Sequence, residues 1–351
     1  MSEIDRTKPV LVTGGSGYLA SWIVKRLLED KLHVHATVRD PADAAKVAHL
    51  TSLADASGGQ LTLFKADLLD AGSFDEAMQD CELVIHTASP FMLTGIEDAA
   101  AQLIEPAKEG TRNVLNAVKR NGQVRRVVLT SSTAAIYGDN ADIAAAPGGK
   151  FTEKQWNVTS SATHQPYAYS KTIAERAAWS VAEKQNHWDL VVINPGWMLG
   201  PSLSKRKDGA SVGIMVQFGD GTYKSGVPAL YSGIVDVRDA AAAHIKAGFN
   251  LRASGRHIVV NEVLTLFDIA AILRRHFGNA YPFPRRQAPK FVFWLIAPLL
   301  GYTRQFVSRN VGIPIAFDNA YSKRDLDMAY IPVEETVREH FQQIIDDGLL
   351  M

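Results

Sequence analysis

The stretch Val10-Leu11-Val12-Thr13-Gly14-Gly15-Ser16-Gly17-Tyr18-Leu19-Ala20 reads as a short apolar strand, a glycine turn and the start of a helix. Gly14, Gly17 and Ala20 have the spacing of a phosphate-binding turn. Gly14 can take backbone angles closed to other residues. Gly17 lets a pyrophosphate approach the main chain, and Ala20 lets the helix lie close on the strand. The anion would rest on the free amides and positive dipole end of the helix, with Gly14, Ser16, Gly17, Tyr18 and Leu19 as candidate contacts. An ordinary tight turn uses glycines too, so the reading depends on what surrounds them.

What surrounds them is an alternation. Apolar, β-branched runs at 10–13, 34–38, 61–64, 83–87, 127–130 and 190–193 read as strands. Between them, 19–30, 43–53, 73–79, 102–120 and 167–186 carry helical periodicity. Strands apolar on both faces and separated by helices predict a parallel sheet covered on both sides, in a Rossmann-type doubly wound α/β fold. After Pro195 the rhythm changes and Gly and Pro become denser. Helices are expected at 238–249 and 266–277, with a strand at 256–260. We read residues 1–195 as the dinucleotide-binding domain and 196–351 as a smaller substrate lobe, interwoven with it.

The second strand ends in Arg39, and Lys46 follows on the next helix. An acid at this position suits a ribose 2′-hydroxyl, whereas an arginine suits a 2′-phosphate. Asp40 would argue for the hydroxyl, but Pro41 is expected to turn it outward. NADP(H) is therefore the expected cofactor.

Tyr167 and Lys171 lie four residues apart at the start of a strongly helical segment, so they share a helix face. A neighbouring ammonium is expected to lower the phenol pKa, and the phenol can then exchange a proton with an alkoxide or alcohol. Tyr169 is two residues from Lys171 and falls on another face. The strand at 127–130 runs into Ser131-Ser132-Thr133. Strand C-terminal ends are where open α/β sheets place ligands, so Ser132 and Thr133 are both candidates to polarise a substrate oxygen. Each would serve equally as a strand-end cap.

The bulk numbers agree with an enzyme of small molecules. Lys plus Arg and Asp plus Glu are 37 each, which argues against nucleic acid as the main partner. The single cysteine, Cys81, cannot form an internal disulfide, and the ten histidines show no metal-ligand spacing. The first eight residues lack the apolar core of a signal peptide, and the longest apolar run, 291–300, is too short to span a bilayer. A cytoplasmic protein is expected, as a monomer or homodimer.

Together these residues resemble the extended short-chain dehydrogenase/reductase family, and within it the dihydroflavonol reductase, cinnamoyl-CoA reductase and carbonyl reductase branch. The matching stretches begin with the glycine turn and its flanks, the run from Ala36 to Pro41, Ala66–Leu68 and His86 to Phe91. They continue with Leu129 to Ser132, Tyr167 to Lys171 and Val235 to His244. The resemblance implies that Asp67 and Leu68 flank the adenine, and that Ala88 and Ser89 line the middle of the cofactor. It implies that Tyr167 and Lys171 are catalytic and that Pro195 sits by the nicotinamide. In the reductase branch the second serine of the pair is catalytic, which points to Ser132. In sugar-nucleotide epimerases the role falls one position later, on Thr133. The implied activity is reduction of a ketone or aldehyde on a hydrophobic, possibly aromatic substrate. A hydroxysteroid-type dehydrogenase and a sugar-nucleotide epimerase or dehydratase are the alternatives.

Phe91, Met92, Trp156, Trp197, Met198, Phe218 and Tyr223 are expected near the strand ends and are candidates for an apolar substrate pocket, with ordinary packing as the competing reading. Lys205, Arg206 and Lys207 would suit a nucleotide diphosphate, or simply a solvated loop. Residues 280–317, rich in Pro and aromatics, have no counterpart that the resemblance supplies. Their apolar run 291–300 is read as a buried helix of the second lobe, against the alternatives of a lid, a dimer contact or a membrane-surface helix.

Overall fold

The computed structural model describes residues 3–90, 97–205 and 209–350. Seven strands form one fully parallel sheet: β1 (Val10–Thr13), β2 (His33–Val38), β3 (Gln60–Lys65), β4 (Leu83–His86), β5 (Arg126–Thr130), β6 (Asp189–Pro195) and, from late in the chain, Gly255–Val259. Read across the sheet, the first six run 3-2-1-4-5-6, and Gly255–Val259 adds itself beyond β6. This is a Rossmann-type order, and its direction reverses between β1 and β4.

Alternation along the strands explains why helices cover both faces. Val10 and Val12 face one core with Leu83, Ile85 and Val128, under α1 (Tyr18–Glu29) and α2 (Ala44–Ser57). Leu11, Val84, Val127 and Leu129 face the other, under α3 (Glu105–Asn121) and α4 (Pro166–Ala182). Neither face meets water, so the strands read as continuous apolar runs.

The second half of the chain is β7 (Trp197–Leu199), α5 (Ala210–Gly219), β8 (Val227–Pro228), β9 (Tyr231–Asp236) and α6 (Val237–Phe249). It continues through the seventh sheet strand, β10 (Gly255–Val259), to β11 (Glu262–Thr265), α7 (Leu266–Phe277), β12 (Gln287–Ala288), α8 (Lys290–Ile296), α9 (Arg304–Asn310), α10 (Ala320–Asp325) and α11 (Val333–Asp346). A small sheet, β11-β9-β7, packs with α5, α7 and α11 around Phe218, Ile234, Leu273 and Phe341. α6 returns to the first core, where Val237, Ala240 and Ala247 pack with α1 residues. Its N-terminus is capped by the Asp236 side chain, and that of α7 by a capping box between Thr265 and Asp268.

Two expected elements differ. The segment 73–79 forms successive turns rather than a helix. Its hydrogen bonds are mostly of the i to i−3 kind, as from Gln79 N–H to Glu76 O, and Asp80 closes it at a φ of 62°. Seven residues between such closures are too few to recover the cost of nucleating a helix. The apolar run at 291–300 is not a buried helix. It is α8 followed by a 3-10 turn at Ala297–Leu300, with Phe293 and Ala297 its only buried side chains. Its buried side chains pack with α9, around Phe293, Ala297, Val307 and Val311, while seven large apolar side chains from Phe291 to Tyr302 stay exposed.

Arg126 is a buried cation that joins three elements. Its guanidinium donates to Ala247 O and Asn250 O at the C-terminal end of α6 and pairs with Asp189 at 2.6 Å where β6 begins. Arg126→Met is expected to lower the unfolding free energy by about 3 kcal/mol, because carbonyls and a carboxylate lose their donors together. Urea denaturation reads this, and a loss within experimental error would remove Arg126 from the framework of the sheet.

Candidate active site

The glycine turn sits at the reversal between β1 and β4. Gly14 has a φ of 68°, a left-handed conformation, and a Cβ there would lie 3.1 Å from Ala88 Cα and Cβ. A Cβ on Gly17 would lie 3.2 Å from Gly14 O, so this glycine also serves the closure of the turn itself. Gly17 begins α1 with no side-chain cap, and the first turn of the helix holds no acid. Its amides therefore face the crevice beside Ala88 without a side chain to satisfy them, an arrangement that fits a pyrophosphate. Thr13 Oγ1 holds the crevice at this width: it accepts from Thr87 N–H and Ala88 N–H and bonds the buried, neutral His86 at 2.8 Å.

Arg39 is exposed at the end of β2. Asp40 accepts from Ala42 N–H and is thereby engaged in its own turn. Lys46 pairs with Asp43 at 2.8 Å on the exposed side of α2. Asp67 is exposed and caps Leu69 N–H, while Leu68 is half-buried under Gly110 of α3. Ala88 and Ser89 line a small cavity with Thr130, Ser131 and Lys171. Pro195 closes β6 in the interior.

The proton-relay candidates converge where β5 ends against α4. Ser132 is half-buried and extended, and its Oγ accepts from Ala134 N–H. The Ser132 side chain is also the neighbour that lowers the pKa of the Tyr167 phenol. Thr133, one position on, is buried in the first residue of the 3-10 turn. The phenol therefore meets Ser132. The expected depression of the Tyr167 pKa is not found: burial pushes the phenol up to about 12, against the lowering effect of the Ser132 hydrogen bond. Burial pushes Lys171 the other way, down to about 8, against the raising effect of Glu175 one turn along α4. Lys171 is 7% exposed and its ammonium makes no hydrogen bond among the described residues. It lines the small cavity with Ala88 and Ser89, so a ligand group entering there would meet an unspent donor.

Behind this group lies a buried pair that sequence reasoning missed. Glu175 Oε1 accepts from Arg256 Nε at 2.5 Å, and Glu175 Oε2 accepts from the Ser131 hydroxyl and from Asn194 Nδ2. Asn194 also donates to Ser132 O, so the carboxylate is one residue removed from the Ser132 main chain. Arg256 stacks on Trp156, its guanidinium 4.0 Å from the ring centroid, with Arg176 on the same indole. The sequence signal was Glu175 at helical spacing after Lys171. Arg256 comes from a strand 81 residues away, and no local pattern links the two.

The pocket candidates divide. Phe218 is fully buried and contacts Tyr223, in the core of the small sheet and its helices. Trp197 donates to Ser211, and Met198 packs under the main sheet. Phe218 is thus core, while Trp197, Met198 and Tyr223 are partly buried against the cores. Phe91, Met92, Arg206 and Lys207 lie outside the described residues, and Lys205 pairs with Asp347. No cluster of three or more His, Cys, Asp or Glu among the described residues has the arrangement of a metal site.

Replacing Glu175 by Gln keeps the shape and removes the charge. Arg256 is then left buried without its counter-ion, and about 3–5 kcal/mol of stability should be lost in chemical denaturation. The same change withdraws the charge that holds the Lys171 pKa up, so Lys171 should titrate below about 8, as read by NMR of the isotopically labelled lysine. An unchanged Lys171 titration would disconnect the two groups.

Comparison with known proteins places this geometry. The NAD dependent epimerase/dehydratase family matches residues 10–260. A cinnamoyl-CoA reductase of Medicago truncatula is 36% identical over 349 residues, covering 98% of each chain. A tetraketide alpha-pyrone reductase of Arabidopsis thaliana is 38% identical over 287 residues, covering 81% of this chain and 85% of the relative. Among solved structures, yeast methylglyoxal/isovaleraldehyde reductase Gre2 complexed with NADPH superposes with a TM-score of 0.77 at 27% identity, covering 98% of this chain and all of that one. With a glycine turn at the sheet reversal and a Ser-Tyr-Lys group at the strand ends, this chain belongs to the NAD dependent epimerase/dehydratase family, the extended short-chain dehydrogenases/reductases, and is an oxidoreductase of that family.

Proposed function

We propose that the protein is an NADPH-dependent reductase of a ketone or aldehyde on a hydrophobic, possibly aromatic substrate, working through Ser132, Tyr167 and Lys171. The observation that carries the reading is the convergence of Ser132, the Tyr167 phenol whose pKa it lowers, and the buried Lys171 where β5 ends against α4. The cofactor is NADP(H), as in the NADPH complex of the yeast structural neighbour. The amides of Ser16, Tyr18 and Leu19, on the turn that the Gly17 N–H closes onto Gly14 O, would hold its pyrophosphate and Arg39 its 2′-phosphate. Asp67, Leu68, Ala88, Ser89 and Pro195 would flank the rest, with Lys46 a secondary charge. When bound, NADPH supplies the hydride.

The protein's own part is to orient the carbonyl and deliver a proton. Ser132 Oγ–H donates to the carbonyl oxygen, where negative charge develops. Tyr167 donates its phenolic proton to the same oxygen. With a pKa of about 12 it stays protonated throughout the neutral range and is available as an acid. Lys171, charged below about 8, would compensate the phenolate left behind and hold the nicotinamide ribose. A phenol that burial keeps protonated is ready to donate to the alkoxide that forms in reduction.

Tyr167→Phe keeps the ring and should lower turnover by at least about 10²-fold, with an almost unchanged dissociation constant for NADPH. Ser132→Ala should cost somewhat less, and Thr133→Val should be nearly silent. A crippled Thr133→Val beside a mild Ser132→Ala would move the role one position and favour epimerase-like chemistry. Reductive turnover in the wild type should be flat at neutral pH and fall as Lys171 loses its proton above about 8. A profile flat to pH ~10, near the ordinary lysine value, would exclude Lys171 from the relay.

The cofactor assignment has its own test. Arg39→Ala should weaken NADPH about ten- to a hundredfold, the worth of one or two charge-assisted hydrogen bonds, and leave NADH binding nearly unchanged. Equal losses for both cofactors would take the 2′-phosphate away from Arg39.

A further inference from the structure

Ten large hydrophobic side chains are exposed among the described residues, and seven of them fall between Phe291 and Tyr302. They belong to the α8 hairpin. Its inner side is satisfied by its own small core, in which Phe293, Ala297 and Val307 are buried. Its outer side presents Phe291, Leu295, Ile296, Leu299 and Leu300, with Leu299 87% exposed. A contiguous apolar face of this kind on an otherwise polar surface marks a contact surface.

The charge around it says what the contact is with. The chain is neutral overall, but residues 269–317 contain no Asp or Glu and seven Lys or Arg. Two of those seven are neutralised by carboxylates, Arg275 by Glu334 and Arg309 by Asp139 and Asp142, while Arg274, Arg285, Arg286 and Lys290 bond only neutral oxygens, of Pro284, Asn279, Ser225 and Ser308. Arg285, Arg286, Lys290 and Arg304 are exposed beside the apolar face, and none of them pairs with a carboxylate among the described residues. Arg304 lies over the Trp294 ring, 4.4 Å from its centroid, at the border between the apolar and basic parts. An apolar face with an interfacial tryptophan and a basic rim that no carboxylate neutralises is the chemistry of a surface that lies in the headgroup layer of an anionic bilayer. A second copy of this chain would bring the same four cations against their own kind, which costs energy unless they are neutralised.

We propose that the hairpin formed by α8, the turn at Ala297–Leu300 and α9 docks the protein on an anionic membrane surface, without spanning it. The hairpin is firmly tied to the body. β12 pairs with β8 just before it, and Leu230 bridges Val311 just after it. At its end Arg309 and Asn310 bond Asp139, which also bonds His164, and Gln165 donates to Gly138 O. Gln165 is the residue that begins the Tyr167 helix. A membrane contact on the hairpin therefore places the Tyr167 end of α4 on the membrane side of the molecule, where an apolar substrate can arrive from the lipid.

The test uses the full chain and vesicles of phosphatidylcholine alone or with about 30 mol % phosphatidylserine, in a sedimentation assay. The protein should pellet with the anionic vesicles, and about 0.5 M salt should release most of it, since screening at that strength reaches only a few ångströms. Leu295→Glu with Leu299→Glu should abolish pelleting while the melting temperature and turnover of a water-soluble aldehyde stay unchanged. Arg286→Gln with Lys290→Gln should weaken it about 25-fold, at about fivefold per cation. Absence of pelleting on anionic vesicles overturns the proposal, as does undiminished pelleting of the Leu295/Leu299 variant. A concentration-dependent dimer that the same variant dissolves would assign the face to a second copy and overturn it equally.

Discussion

One buried carboxylate holds the working end of this molecule together. Glu175 sits on α4 one turn beyond Lys171 and collects the Arg256 guanidinium from β10, the Ser131 hydroxyl from the end of β5 and the Asn194 amide from the end of β6. Four elements that the chain supplies far apart are thus referred to one pair of oxygens. A buried ion pair is poor evidence of stability in general, because desolvation of both partners cancels most of the attraction. Its value here is positional. An unpaired charge in that interior is so costly that strands β5, β6 and β10 and helix α4 have essentially one way to meet.

That constraint explains how a polar group can sit next to hydrophobic cores and keep its geometry. Ser132 follows directly on Ser131, and its carbonyl is held by the same Asn194 that reaches Glu175. Tyr167 comes from the first turn of the helix that Glu175 anchors. On the other side of the sheet reversal, Thr13 Oγ1 and His86 set the distance between the glycine turn and Ala88. Two separate polar hubs therefore frame one crevice, one on the β1/β4 side and one on the β5/β6 side. The opposite displacements of the Tyr167 and Lys171 pKa values have the same origin: burial disfavours whichever form is charged, the phenolate for one and the ammonium for the other.

The late segment follows a different logic. Most of the chain covers its apolar surface with other parts of the chain. Residues 290–311 instead make a two-helix hairpin with a core of its own and leave one side uncovered. The apolar density there invited the reading of a buried helix. Hydropathy measures what a residue would gain from burial, but it does not say whether the fold has a surface left to bury it against. α5, α7 and α11 are already satisfied by one another around Phe218 and Phe341, and the hairpin arrives with no partner left. Phe218, which read as a pocket residue, is one of those core side chains, and Tyr223 packs partly buried against it.

The sequence by itself determined the alternation of strands and helices, the glycine turn, the family and the candidate relay. Each of these is written in local terms: a period of two or 3.6, a left-handed glycine, or a Tyr and Lys one helical turn apart. It also predicted a helix at 73–79 that the chain replaces with turns, since local periodicity carries no account of the nucleation cost over so short a span. The tertiary structure alone decided which hydroxyl meets Tyr167. Ser132 and Thr133 are adjacent and chemically alike, and only the extended backbone at Ser132, ahead of a 3-10 turn that buries Thr133, separates them. It alone brought Arg256 to Glu175, 81 residues away, because a strand inserted at the edge of a parallel sheet is a long-range event with no signature at either end. And it alone decided that the apolar face of 291–302 stays outside, because exposure is a property of what the rest of the chain leaves uncovered.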